Sequence, residues 1–140
     1  MRLLAMKIRT FVVFTFLLCG LISTVSATVS ANGADAVIKS YISAEEAQNY
    51  ERVYQLLSVA KKQHFKQDYA VSDGAGYAKL RRSSEARWFN FVEKCRRESK
   101  EEIVVTYTVV IEENGEQETV PMTLKLLFQG GEWRIGAIDY

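Results

Sequence analysis

Two carboxylates make the best case for acid–base chemistry in this sequence. Glu93 alternates with Phe89 and Phe91, and Asp139 alternates with Trp133, Ile135 and Ala137, so each stands among apolar neighbours at the spacing of an extended strand. A carboxylate held among aromatic rings loses hydration, its pKa rises, and it becomes able to take a proton near neutral pH. The competing account puts Glu93 where a strand emerges into solvent and Asp139 in a frayed terminus, because charged side chains are rarely buried without a partner. The one histidine, His64, lies in the basic run Lys61-Lys62-Gln63-His64-Phe65-Lys66, which reads as a solvated helix end. With a single histidine and no cysteine pair at ligand spacing, neither a metal nor another cofactor is expected. Arg81-Arg82 and Arg96-Arg97 would form an anion site if the fold brought them together. Solvated turn ends are the plainer reading, given Glu98, Glu101 and Glu102 nearby. No complete catalytic set emerges.

Aromatic residues supply a second candidate site. Tyr41, Tyr54, Trp88, Phe91, Tyr107 and Trp133 fall on the apolar faces of predicted helices and strands, where they could line a pocket with hydroxyl groups for a small ligand. Helical spacing alone also demands burial of such a face, so ordinary core is the competing reading.

The elements that must position these residues are legible in outline. Val37, Ile38, Tyr41, Ala44 and Ala47 follow helical spacing behind Asp35, and Tyr50, Val53, Tyr54 and Leu57 repeat it behind Asn49. Residues 59–65 could extend the second helix, Asp73-Gly74-Ala75-Gly76 interrupts it, and residues 77–82 suggest a short third. From residue 85 the period changes to two. Ile103, Val105, Tyr107, Val109 and Ile111 share one strand face, with Val104 and Val110 on the other. Asn114-Gly115 marks a hairpin, Gly130-Gly131 a second turn, and Met122, Leu124 and Leu126 continue the apolar face. The prediction is an α+β fold, with N-terminal helices packed on a curved antiparallel sheet of about four strands.

Composition bounds the rest. The 140 residues are 48% hydrophobic and 25% charged with one proline, which excludes a disordered or collagen-like chain. Residues 1–27 read as a signal peptide: Arg2, Lys7 and Arg9 precede the apolar run 11–23, and Val25-Ser26-Ala27 offers small residues for cleavage. The run is short for a membrane span, which takes about 20 residues. Cleavage would remove three positive charges, shifting the net charge from +1 to −2, and Cys19, leaving Cys95 alone. Mild acidity argues against a nucleic-acid partner. Residues 28–34 are small and polar and read as a flexible lead-in to one domain, 35–140.

Two segments resemble a known superfamily. Val37-Ile38-Lys39-Ser40-Tyr41 through Ala44, followed by Asn49-Tyr50-Glu51-Arg52-Val53-Tyr54-Gln55-Leu56-Leu57-Ser58, resembles the opening helices of small exported members of the NTF2-like (cystatin-like α+β) superfamily. Gly131-Glu132-Trp133-Arg134-Ile135 resembles the last hairpin of those members. The resemblance implies a cone-shaped sheet around a helix with a pocket at its open end, and dimerisation through the outer sheet face. It implies either an enzyme, such as ketosteroid isomerase, scytalone dehydratase or a polyketide cyclase, or a non-catalytic binding or assembly module. The expectation is an exported (periplasmic or secreted) non-catalytic module that captures a small apolar ligand or contacts a protein partner. The alternative is an isomerase- or cyclase-type enzyme using Glu93 or Asp139 as base, with Tyr41 or Tyr54 stabilising an enolate-like oxygen.

Overall fold

The computed structural model describes residues 28–140. The signal peptide expected over 1–27 lies outside the described residues. Helix α1 (Thr28–Glu46) turns Ala34, Ile38, Tyr41 and Glu45 inward, successive residues three or four apart on one helical face. It starts at Thr28, so residues 28–34 are helical, where a flexible lead-in was expected. Gly33 explains part of the difference: a Cβ there would stand 3.3 Å from Trp133 Cδ1, so its bare backbone lets α1 press against the ring.

Asn49 caps α2 (Tyr50–Leu56) by accepting from the Arg52 N–H at 3.2 Å, and α2 buries Tyr50, Val53 and Leu56. Helix α3 (Val59–Tyr69) is capped by the buried Ser58 and buries none of its own residues; Val59 is 83% exposed. It ends at Ala70 in the left-handed region (φ 55°). Because Ala there carries a Cβ penalty that glycine lacks, Ala70→Gly is expected to stabilise the fold by about 1 kcal/mol, read as a higher urea midpoint. Asp73 caps α4 (Gly74–Ser83), which buries Tyr77 and Ala78.

Strands β1 (Arg87–Glu98), β2 (Glu102–Glu113), β3 (Glu116–Gln129) and β4 (Glu132–Asp139) form an antiparallel meander in sequence order. Asn114 and Gly115 both have positive φ, as the tight β2–β3 turn requires. Ile103, Val105, Tyr107, Val109, Met122, Leu124 and Leu126 are buried on the inner face under α1 and α2, as their alternation predicts. The free edge of β4 is closed by Leu57, which bridges to Ile135, and by the Ser58 N–H donating to the Ile135 carbonyl at 2.8 Å. Pro121 lies beyond the last β3–β4 pair at Thr123, where β3 has one open side and the missing N–H costs little.

Three register shifts alter the predicted faces, two in β1 (at Phe89–Val92 and at Glu93–Cys95) and one in β4. Asn90 (φ 56°) sits in a register shift between Phe89 and Val92, so Trp88 and Phe91 share the inner side where unbroken alternation would oppose them. In β4, Ala137 pairs with Lys125 and Ile135 with Leu126, leaving Gly136 as the extra residue. Beyond that bulge Ile138 turns inward opposite Leu124, while Asp139 turns outward opposite Thr123.

Candidate functional site: a cleft at the mouth of the cone

The cone is filled at its centre and open at one end. Tyr41, Phe91 and Tyr107 meet edge to face, with ring centres 6.1 Å apart in both pairs, and Met122 closes the space above Tyr41. At the mouth, a cleft of about 580 Å³ opens between α3, α4 and the strand ends. Phe65 and Tyr69 wall it from α3, Tyr77, Leu80 and Arg81 from α4, and Trp88, Ile111, Ile138 and Tyr140 from the sheet.

Arg81 is the fixed feature of this cleft. Its Nη1 and Nη2 donate to the two oxygens of Glu45 at 2.8 and 2.9 Å, and Nη1 also donates to the Tyr77 hydroxyl at 3.1 Å. Glu45 is 0% exposed, and the Arg81 side chain is 15% exposed. The guanidinium carbon stands 4.6 Å from the Tyr50 ring centre and 4.8 Å from that of Trp88, so the cation is held by rings as well as by its counter-ion. Burial alone would lower the Arg81 pKa, but the hydrogen bonds and charge of Glu45 outweigh it and the net shift is upward. Burial raises the hydroxyl pKa of Tyr77, with Arg81 opposing, and raises that of Tyr41 strongly, with Glu45 adding to it. The two charges are 36 residues apart and arrive from α1 and α4.

Of the six aromatic residues expected to line a pocket, Trp88 alone is on the wall of this cleft, packed at 4.8 Å against Tyr140. Tyr41, Phe91 and Tyr107 belong to the filled centre. Tyr54 stands behind the wall, 5.7 Å from Tyr77. Trp133 is at the far end, its ring tilted against Phe128 at 5.3 Å beside a separate open groove. The two carboxylates that the alternative, enzymatic reading would use as a base are elsewhere too. Glu93 is on β1 with its side chain 42% exposed, and accepts from Arg96 Nε and Nη2 at 2.8 and 3.1 Å. Asp139 is exposed on the outer face, carried there by the Gly136 bulge. His64 sits on the rim of the cleft, half-exposed, with Nδ1 3.2 Å from Asp68.

The two arginine pairs do not converge. Arg82 is 3.9 Å from Glu51, and Arg96 is held by Asp35, Glu93 and Glu98 on the β1 edge. Among the described residues no group of three His, Cys, Asp or Glu side chains is placed to hold a metal ion. No helix among them is long and apolar enough to cross a membrane.

Sequence reasoning singled out Arg81 as part of an anion site but missed Glu45 and its pairing with Arg81. The available signal was a carboxylate on the Ala34–Ile38–Tyr41 face of α1, and a guanidinium four residues after Tyr77 on the buried face of α4. A charge on a core-facing helix position asks for a partner.

Tyr107 gives this region a pH signature. Burial pushes its hydroxyl from 10.0 up to about 12, and the charge of Glu93 adds to the shift. The folded chain holds this proton at pH values where the unfolded chain has begun to lose it. Its contribution to stability is therefore complete below pH 10.0 and disappears as pH rises to about 12. Urea midpoints are expected to fall over that interval and to fall less in Tyr107→Phe; equal slopes in both proteins would contradict the assignment.

Four helices on a curved, four-stranded antiparallel sheet form an α+β fold consistent with the NTF2-like one. No family model and no curated protein matches the sequence. Among solved structures, the chain is similar to a SEC-C motif-containing protein from Rhodopseudomonas palustris, at 13% identity and a TM-score of 0.58, over 79% of this chain and 80% of that one. It is also similar to a designed NTF2-like protein carrying five substitutions, at 19% identity and a TM-score of 0.53, over 76% of this chain and 95% of that one. At these identities the likeness defines the fold alone.

Proposed function

We propose that the protein is an exported, non-catalytic binding module that captures a small, largely apolar ligand in the cleft at the mouth of its cone. One observation carries this reading: the cleft has aromatic walls around Arg81, which Glu45 fixes, while Glu93 and Asp139 stand outside it and both oxygens of Glu45 are engaged. Concave, mostly apolar sites with a few oriented polar groups are what small-ligand capture needs. An isomerase or cyclase would need a carboxylate with a free lone pair aimed into the cleft. Glu45 directs both oxygens at Arg81, and Glu113 stands exposed at the rim.

A second reading, protein contact through the outer sheet face, is favoured by the apolar residues there. Val92 is 43% exposed, and Phe89, Val104 and Val110 share its side of the sheet. Export rests on the leader-like residues 1–27 and predicts that the mature chain lacks them.

Native mass spectrometry of protein purified gently from its own exported fraction tests both points. Ligand capture predicts a chain shortened at its N-terminus carrying a non-covalent adduct of fixed mass. A homodimer free of adduct would favour the sheet-face reading, and robust hydrolase, isomerase or dehydratase turnover would overturn the non-catalytic one.

A further inference from the structure

Arg81 has two edges at which a carboxylate can be held by two parallel N–H groups, and Glu45 takes only one. Glu45 spans Nη1 and Nη2, and the second Nη1 hydrogen goes to Tyr77. The Nε–H and the remaining Nη2–H point along the other edge, and neither donates to any of the described residues. The Nε–H is not sealed in, since no buried side-chain nitrogen or oxygen among the described residues lacks a partner, and Arg81 itself lines the cleft. A bidentate donor pair is thus held rigidly at the cleft wall by Glu45 and by the rings of Tyr50 and Trp88.

The surrounding charges favour an anion there. Lys61, on the facing wall, has its Nζ 5.7 Å from the Phe65 ring centre and forms no ion pair among the described residues. Arg81 and Lys61 bring two positive charges to the cleft, where Glu45 holds the far edge of Arg81 and Glu113 lies at the rim. His64 at the rim is matched with Asp68, and Glu113 on the opposite rim is exposed and screened by solvent. Phe65, Tyr69 and Tyr77 on one side and Trp88 and Ile111 on the other offer flat apolar walls.

We propose that the free Nε–Nη2 edge of Arg81 receives the carboxylate of an organic acid with a flat apolar body, with Lys61 as the second cation. This rests on the capture reading and names the ligand class it would serve. The test is titration of the protein with 2-naphthoate, 2-naphthamide and 2-methylnaphthalene, followed by the indole N–H resonance of Trp88. Naphthoate is expected to bind at least about tenfold more tightly than the amide, because its hydrogen bonds to Arg81 are charge-assisted on both sides. Lys61→Gln, a partly exposed site whose change should leave folding intact, is expected to weaken naphthoate about threefold while leaving the amide unchanged. Equal affinities across the three compounds would overturn the carboxylate assignment and leave the cleft standing as a binding site. A Trp88 resonance unmoved by all three would overturn the capture reading and this inference with it.

Discussion

Glu45→Ala is expected to destabilise the fold by about 3–5 kcal/mol, the cost of leaving a largely buried guanidinium without its counter-ion. Glu45 is fully buried and accepts both of the short hydrogen bonds that fix Arg81. The paired change Glu45→Leu with Arg81→Met removes both charges at similar volume, so it should recover most of that loss, since buried ion pairs replaced by packed apolar residues are often close to neutral. Urea denaturation of the three proteins reads the effect. A loss below about 1 kcal/mol in the single variant would mean that water already reaches the pair and that the cleft wall is not fixed.

Tyr41→Ala should cost about as much, roughly 3–5 kcal/mol, by opening a cavity where three rings and a thioether now meet. Tyr41 is fully buried against Phe91, and its hydroxyl points to the Met122 sulfur at 3.9 Å. Tyr41→Phe removes only that hydroxyl, a weak contact beside Glu45, and should cost no more than about 1.5 kcal/mol. The pair of variants separates the two roles the sequence leaves open for this residue. A core tyrosine loses stability with the ring and leaves cleft binding untouched when only the hydroxyl is removed. A Tyr41→Phe protein of normal stability that no longer binds cleft ligands would put Tyr41 back at the site.

The contrast between Tyr41 and Arg81 shows what was legible in the sequence. Period-two alternation and Asn114-Gly115 predict the β2–β3 hairpin and its inner face residue by residue, because one buried side fixes the register. The α1 and α2 faces follow from spacing in the same way. Asp139 was misplaced because a single unpaired residue, Gly136, inverts every face after it; the glycine is visible in the sequence, but its effect depends on the partner strand. Asn90 acts likewise on β1, aligning Trp88 with Phe91. Helix α3 gave little signal because it buries none of its residues; Phe65 only leans against the core, and both it and Tyr69 line the cleft. The site itself depends on a contact between residues 36 apart, which no local pattern carries. A lone charge on each of two core-facing helical stripes was the trace it left.

Under the proposed function, the cleft between α3, α4 and the strand ends holds a ligand in the working protein. The most direct measurement is a crystal structure of the protein as purified from its own exported fraction. Ordered non-protein density is expected between Trp88 and the rings of Phe65 and Tyr77, reaching the free edge of Arg81. An unoccupied cleft with a second copy or another protein seated across Phe89, Val92 and Val104 would contradict it.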